Sequence, residues 1–204
     1  QRFVTLGLLA GIPVSVVHTE SEHEIRVISF IKRIDLVLCE EEYKYSSTQI
    51  NMPVDIAGQV DEYCNKIPES VLAEDGHEDD PHVTVKYGLI DPDPEKLKEL
   101  LKDKGPIVMT MGKVSIFKAD EKRDSDVIKV EIESRDLMEL NKLICDHFEH
   151  ITTYDYTPHM TIAYVKSGHG VDYDGDDYFD GTVIASDVLL LSDKSGNKIE
   201  IPLR

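Results

Sequence analysis

Two spacings of apolar residues alternate along this chain, and the points where one gives way to the other outline its elements. Short apolar runs at 3–9, 14–19 and 24–32 are separated by Gly11 and Pro13 and then by Ser21 to His23, which predicts three strands of a small antiparallel meander. A mixed stretch through Glu40, Glu41 and Glu42 follows, and a domain boundary is expected near Glu42. Imperfect alternation over 45–52 reads as a strand stopped by Pro53. From 54 to 66 the spacing becomes helical: Val54, Ile56, Ala57, Val60, Tyr63, Cys64 and Ile67 recur, with Asp55, Asp61 and Glu62 pointing elsewhere.

After a polar loop at 74–81, residues 82–90 read as a strand. Asp93-Pro94-Glu95 opens a helix that carries Leu97, Leu100 and Leu101 and stops at Gly105-Pro106. Residues 107–119 and 126–133 predict two strands, and Ser134 caps a helix faced by Leu137, Leu140, Leu143, Ile144 and Phe148. Strands at 159–166, 181–192 and 197–203 complete the order β-α-β-α-β-β-α-β-β-β from Tyr45. The fold class is α+β, with a small β appendage over 1–42 and the main domain over 43–204.

The chain of 204 residues is 41% hydrophobic, enough for a real core. It has no apolar run approaching the roughly 20 residues that cross a bilayer, and its first residues lack the pattern of a signal peptide. A cytoplasmic protein without a membrane partner is expected, in the host cytoplasm if a phage encodes it. Because residue 1 is Gln and not Met, residues upstream of it are also expected. Cys39, Cys64 and Cys145 are odd in number and form no C-x-x-C pair, so neither a disulfide framework nor a zinc site is expected. The formal charge of −18 would repel a long row of phosphates, which disfavours long nucleic acid as a partner. A small anionic ligand held by a few local cations and backbone donors remains compatible with it.

One approximate repeat stands out: Pro81-His82-Val83-Thr84-Val85-Lys86-Tyr87 and Pro158-His159-Met160-Thr161-Ile162-Ala163-Tyr164. On a strand, side chains two apart share a face, so each His and its Thr point one way while the residues between them point the other. A lone H-x-T is commonly a chance pairing, but two copies, each opening a strand that follows a helix, point to a site. Two imidazoles can divide acid and base duties in a displacement at phosphorus, and the threonine hydroxyls can hold the non-bridging oxygens. Such a scheme needs neither metal nor cofactor.

At these residues the chain resembles the 2H phosphoesterase superfamily, whose two H-h-[ST]-h motifs (h, hydrophobic) match His82-Val83-Thr84-Val85 and His159-Met160-Thr161-Ile162. The resemblance implies a bilobal fold of two pseudo-symmetric antiparallel-sheet lobes with His82, Thr84, His159 and Thr161 as the catalytic set. Around the first motif the chain is similar to phage-encoded members, among them anti-CBASS enzymes that destroy cyclic nucleotide signals. Residues 2–7, 16–20 and 25–29 also resemble later strands of the BrnT toxin family, as a fragment without that family's front portion.

Alternation puts Lys86 on the His82 face, where it is the candidate phosphate contact, and Tyr45 is a candidate for stacking a base. Tyr164 begins near the cleft, and His169, between Gly168 and Gly170, could close over a substrate. His77 is expected in a flexible loop beside a motif with its role left open, whereas His147 and His150 at a helix end and His18 and His23 in the appendage take structural roles. Asp172 to Asp177 has the wrong order for a calcium loop and reads as a surface turn. The expected function is metal-independent cleavage of a phosphodiester in a small nucleotide, a cyclic oligonucleotide above all. The alternatives are an RNA-processing enzyme acting on 2',3'-cyclic phosphates or 2'-5' linkages, and a nucleotide-binding module without turnover.

Overall fold

In the computed structural model residues 2–9, 12–20, 25–32, 43–121, 123–153 and 155–203 are described, the first three ranges by backbone alone. The chain divides into two compact units, 1–42 and 43–204. In the first, β1 (Arg2–Leu9), β2 (Ile12–Glu20) and β3 (Ile25–Lys32) pair antiparallel in chain order. The boundary expected at Glu42, and the side chains on which the BrnT resemblance rests, lie outside the described residues.

In the second unit β4 (Ser46–Asn51) is followed by helix α1 (Val54–Cys64), which Pro53 precedes and which buries Ile56, Val60, Tyr63 and Cys64 of the apolar positions read from the spacing, while Val54 in its first turn is exposed. Next come β5 (Leu72–His77) and β6 (His82–Leu89). Helix α2 (Pro94–Leu101) opens with Asp93 Oδ1 accepting from the Glu95 N–H at 2.9 Å. Strands β7 (Ile107–Phe117) and β8 (Ser125–Glu133) lead to α3 (Arg135–His147), capped by Ser134 Oγ on the Leu137 N–H at 3.1 Å. The chain continues with β9 (His159–Lys166), β10 (Val183–Ser186), β11 (Val188–Ser192) and β12 (Lys198–Pro202).

These strands form one antiparallel sheet in the order β10-β7-β8-β9-β6-β4-β11-β12, with β5 on β9 off that path. The order is symmetric about its middle. Each half places a motif strand innermost (β9 or β6), pairs it with the strand before the helix that precedes it (β8 or β4), and adds two outer strands. These are the two pseudo-symmetric lobes expected of the sequence. They meet where Val83 of β6 pairs Met160 of β9. Beyond that pair β9 turns to β5, through Leu72 on Val165 and His77 on Ala163. The alternate face of the motif strands is dry: Val83, Val85, Met160 and Ile162 are all fully buried in the core.

Two readings of the sequence are corrected. The segment expected as a polar loop from Glu74 begins inside β5, whose Leu-Ala-Glu-Asp-Gly-His sequence is polar because an added edge strand is held by main-chain bonds and not by a buried face. The single strand expected over 181–192 is two, parted at Asp187: β10 pairs β7 in one lobe and β11 pairs β4 in the other. Neither Gly nor Pro marks that change. The break is fixed by distant partners, among them the Leu203 N–H donating to the Asp187 carbonyl at 2.7 Å.

Beyond β9 the chain makes a turn that Asp126 pins. Its Oδ2 accepts the N–H groups of Gly168 at 2.8 Å and Gly170 at 3.0 Å, and its Oδ1 that of Ala119 at 2.8 Å. Burial works against its ionisation, but the three N–H groups outweigh that and hold the carboxyl below the usual aspartate range. A carboxyl whose folded pKa is lowered stabilises fully above its unfolded value of about 3.9 and loses that contribution as pH falls through the folded one. Asp126→Asn should therefore cost about 3 kcal/mol in urea unfolding at pH 7, and the gap to wild type should close below about pH 4. Equal stability of the two proteins at pH 7 would show that the turn does not depend on this carboxylate.

Candidate active site

The motif residues lie where the two lobes meet. Val83 faces Met160 in an antiparallel pair, so continuing the register sets His82 opposite Thr161 and Thr84 opposite His159. The four polar side chains occupy the corners of a square on the face opposite the buried Val83 and Met160, with the histidines on one diagonal and the threonines on the other.

Both imidazoles are held in the same way. His82 Nδ1 lies 2.7 Å from the Asp80 carbonyl and His159 Nδ1 2.8 Å from that of Thr157, in each case the carbonyl two residues earlier. A carbonyl can only accept, so Nδ1 carries the proton and Nε2 is left as the working nitrogen on each ring. Around His82, Gln49 Nε2 donates to Asn51 Oδ1 at 2.7 Å and Asn51 Nδ2 to Asp80 Oδ1 at 3.0 Å, while Lys198 pairs with the other Asp80 oxygen. Around His159, Phe117 meets the imidazole edge-on at 5.0 Å. Burial, followed by the charges of Lys129, His82 and Arg123, holds the His159 pKa below the ordinary histidine value against the opposing bond to Thr157. His159 is thus neutral at neutral pH, with a free lone pair on Nε2.

Matched bulges shape the rest of the cleft. Gln49 faces Thr84 and Thr48 faces Lys86, so Val85 is an extra residue in β6; Lys129 faces Thr161 and Ile128 faces Ala163, so Ile162 is an extra residue in β9. Each bulge flips the alternation after its threonine. Tyr164, which strict alternation would turn away, returns to the Thr161 side and hydrogen-bonds it; burial, then Glu78 and Asp75, push its phenol pKa up. By the same shift Tyr87 joins the Thr84 face, and the backbone at Lys86 turns with it, although the Lys86 side chain still lines the cavity beside Thr84 and His159. That lysine is 8% exposed and donates from Nζ to the Thr152 carbonyl at 3.1 Å.

Where β9 has diverged, the edge of β6 is covered by residues 149–153 and by Tyr156. Ile151 N–H donates to the Gly88 carbonyl at 3.0 Å, Thr152 Oγ1 to that of Tyr87 at 2.8 Å, and Tyr156 Oη to that of Thr84 at 3.0 Å. Gly88, at φ +86°, is obligatory here, since a Cβ would sit 2.8 Å from Ile151 Cγ1. Under this cover lies a cavity of about 250 Å³ reached by Thr84, Lys86, Asn141, His150, Tyr156 and His159. A second cavity of about 300 Å³ opens over β4 and β6, lined among others by Tyr45, Ser47, Gln49, His82, Tyr87 and Lys198. Tyr45 and Tyr87 meet edge to face in it, with centroids 6.3 Å apart.

Four expected residues, His82, Thr84, His159 and Thr161, come together, and Lys86, Tyr45 and Tyr164 border them. His169 does not. It lies in an exposed turn past the far end of β9, a strand that runs roughly 23 Å from His159 at about 3.3 Å per residue. The glycines beside it give their N–H groups to Asp126 instead of serving as a hinge. His77 lies in β5 and not in a loop. Sequence reasoning missed His150, expected to end a helix: α3 stops at His147, and His150 sits in the first cavity with Nδ1 2.9 Å from the Phe148 carbonyl. It also missed Lys129, whose only sequence signal was its place on β8. Among the described residues no group of three or more His, Cys, Asp or Glu side chains converges to hold a metal ion.

A protein-family model described as the 2'-5' RNA ligase superfamily matches residues 61–172, a span that takes in both motif strands. No curated protein matches the chain. Among solved structures it is similar to TT0787 of Thermus thermophilus, at 12% identity and a TM-score of 0.56, covering 77% of this chain and 97% of that one. Usb1 of Kluyveromyces marxianus follows at 8% identity and 0.54, covering 79% and 99%. Escherichia coli LigT in its apo form stands at 18% identity and 0.52, covering 80% and 96%. At these identities the likeness is one of fold. The family match spans more than half of the chain, and the chain belongs to the 2'-5' RNA ligase superfamily, the 2H phosphoesterases that its repeated motif resembles.

Proposed function

We propose that this protein is a metal-independent phosphodiesterase acting on a small nucleotide, with His82, Thr84, His159 and Thr161 as its catalytic set. The observation that carries the proposal is the shared tautomer: two diagonal imidazoles, each with Nδ1 tied to the carbonyl two residues back and Nε2 free. A phosphate centred on the square meets a base on one side and an acid on the other, the arrangement an in-line displacement needs. His159, kept neutral, takes the proton of the attacking hydroxyl on Nε2; His82 enters as the imidazolium, with Nδ1–H on the Asp80 carbonyl, and gives its Nε2 proton to the leaving oxygen, after which the two rings return to their starting states by exchange with solvent. The Thr84 and Thr161 hydroxyls donate to the non-bridging oxygens, where charge builds. Where the substrate has a 3'-5' bond, the neighbouring 2'-hydroxyl is the nucleophile and the product ends in a 2',3'-cyclic phosphate or its hydrolysed monoester.

For the substrate, we infer a cyclic oligonucleotide. One cavity adjoins Thr84 and His159 and a second adjoins His82, so a scissile phosphate on the square has room for nucleosides beside it, with Tyr45 and Tyr87 offering aromatic surface in the second. A solved structure of E. coli LigT holds 3'-AMP, which supports a nucleoside phosphate as the kind of ligand this fold accepts. The charge of −18 favours a compact anion over a long one. A phage enzyme that destroys immune signalling nucleotides in the host cytoplasm is the biological role we attach to this reading, and it rests on the resemblance around His82.

Turnover should persist in excess EDTA; activity lost to the chelator and restored by a divalent cation would refute the two-histidine mechanism. His82→Ala and His159→Ala should each lower kcat by about 10³-fold, with the double variant little worse than either. Near-normal turnover in either single variant would remove that residue from the mechanism. Because His159 must be unprotonated to act, the acid limb of kcat/KM should lie below the ordinary histidine value of about 6.5. Product masses from cyclic dinucleotides, cyclic trinucleotides, 2',3'-cyclic mononucleotides and tRNA decide the substrate. Linearised rings are expected, whereas steeply salt-dependent tRNA binding with the rings intact would favour RNA processing.

A further inference from the structure

Lys129 is a cation in an unusual place. Its side chain is 4% exposed, in a chain whose net charge is −18 and whose ion pairs among the described residues all involve partly or fully exposed lysines and arginines. No described carboxylate forms an ion pair with it. Nζ donates to Ser115 Oγ at 2.6 Å and lies 4.5 Å from the centre of the Phe117 ring, and Glu131 and Asp174 act on it only through space. An ammonium has three donors, and a neutral hydroxyl and a ring face do not repay its desolvation. Burial accordingly lowers its pKa. The other buried lysine, Lys86, is bonded to a main-chain carbonyl outside the square.

Its place in the sheet says what is missing. Ser115, Lys129 and Thr161 are successive cross-strand partners on β7, β8 and β9, so the three side chains form a row on the cleft face that ends at the motif threonine. In the other lobe the pseudo-symmetric position, the cross-strand partner of Thr84, is the neutral Gln49. The cation nearest His82, Lys198, is already paired with Asp80, so the cation without a carboxylate partner lies on the Thr161 side. Building on the reaction proposed above, we propose that Lys129 is the phosphate-binding cation of this site: with Ser115 holding one donor, the others meet a non-bridging oxygen of the scissile phosphate beside the Thr161 hydroxyl. The anion supplies the counter-charge that the protein withholds. The same ammonium, through its field on His159, favours the neutral base, so one side chain serves both the electrophile and the proton acceptor.

Lys129→Met tests this, because methionine fills similar space without charge. The expected result is a loss of about 10²-fold in kcat, the size of one removed donor to a developing oxyanion. Thermal stability should stay equal or rise, since a buried unpaired charge is removed. The acid limb of the pH profile should move upward as His159 loses a neighbouring cation. Inorganic phosphate should raise the melting temperature of wild type but not of Lys129→Met, while Ser115→Ala, which leaves the charge in place, should keep that response. A variant with a lower melting temperature and with turnover and phosphate response intact would make Lys129 structural and overturn the assignment. If no phosphodiester is turned over by wild type but the phosphate response is still lost with Lys129, the anion site stands and the reaction assigned to it fails.

Discussion

Everything in the cleft depends on how little β6 and β9 share. They touch at Val83 and Met160 and then part, β9 to pair with β5 and β6 to be covered by the segment after α3. A longer ladder would bring the lobes into one continuous surface, and the motif side chains would lie on it without cavities beside them. The short contact brings four polar groups together while the strands open around them. The two bulges, at Val85 and Ile162, begin where the strands separate, and each redirects a tyrosine toward its threonine.

The electrostatics follow from the same junction. A strongly acidic protein that is to hold an anion needs a cation kept out of direct pairing with its many carboxylates. Burial against the Phe117 ring achieves this for Lys129, and main-chain carbonyls fix both imidazoles without adding negative charge to the square. Had carboxylates held the rings, each would have favoured the imidazolium and cancelled part of the field felt by a substrate phosphate. Asp80 shows the distinction clearly: its carbonyl orients His82, while its carboxylate is turned to Asn51 and Lys198.

Much of this was legible in the residues. Helical spacing gave α1, α2 and α3, and the repeat around His82 and His159 identified both strands and the four groups they present, because a period of two is a local property. What was not legible arises from distant partners. The sequence around Asp187 carries no signal that one half of the segment pairs with β7 and the other with β4. The Asp-Gly-His of β5 reads as a loop because its pairing is through the main chain. Bulges broke the alternation used to aim Lys86 and Tyr164. His150 and Lys129 looked ordinary because what distinguishes them is burial beside the square, which only the assembled lobes create.

The crossing at Asp187 also orders events in time. One lobe is almost contiguous, from β7 through β9, needing only β10 to finish it; the other is built from the start and the end of the domain, with β4 and β6 waiting for β11 and β12. On a chain emerging from the ribosome, the first motif strand and its neighbour are made early, but the outer edge of β4 has no partner until residues 188–192 arrive. Until then that edge offers unpaired N–H and C=O groups to any neighbouring chain. The lobe carrying His159 can close first and give the earlier strands a surface to dock on, so the two halves of a nearly symmetric site are assembled by unequal routes.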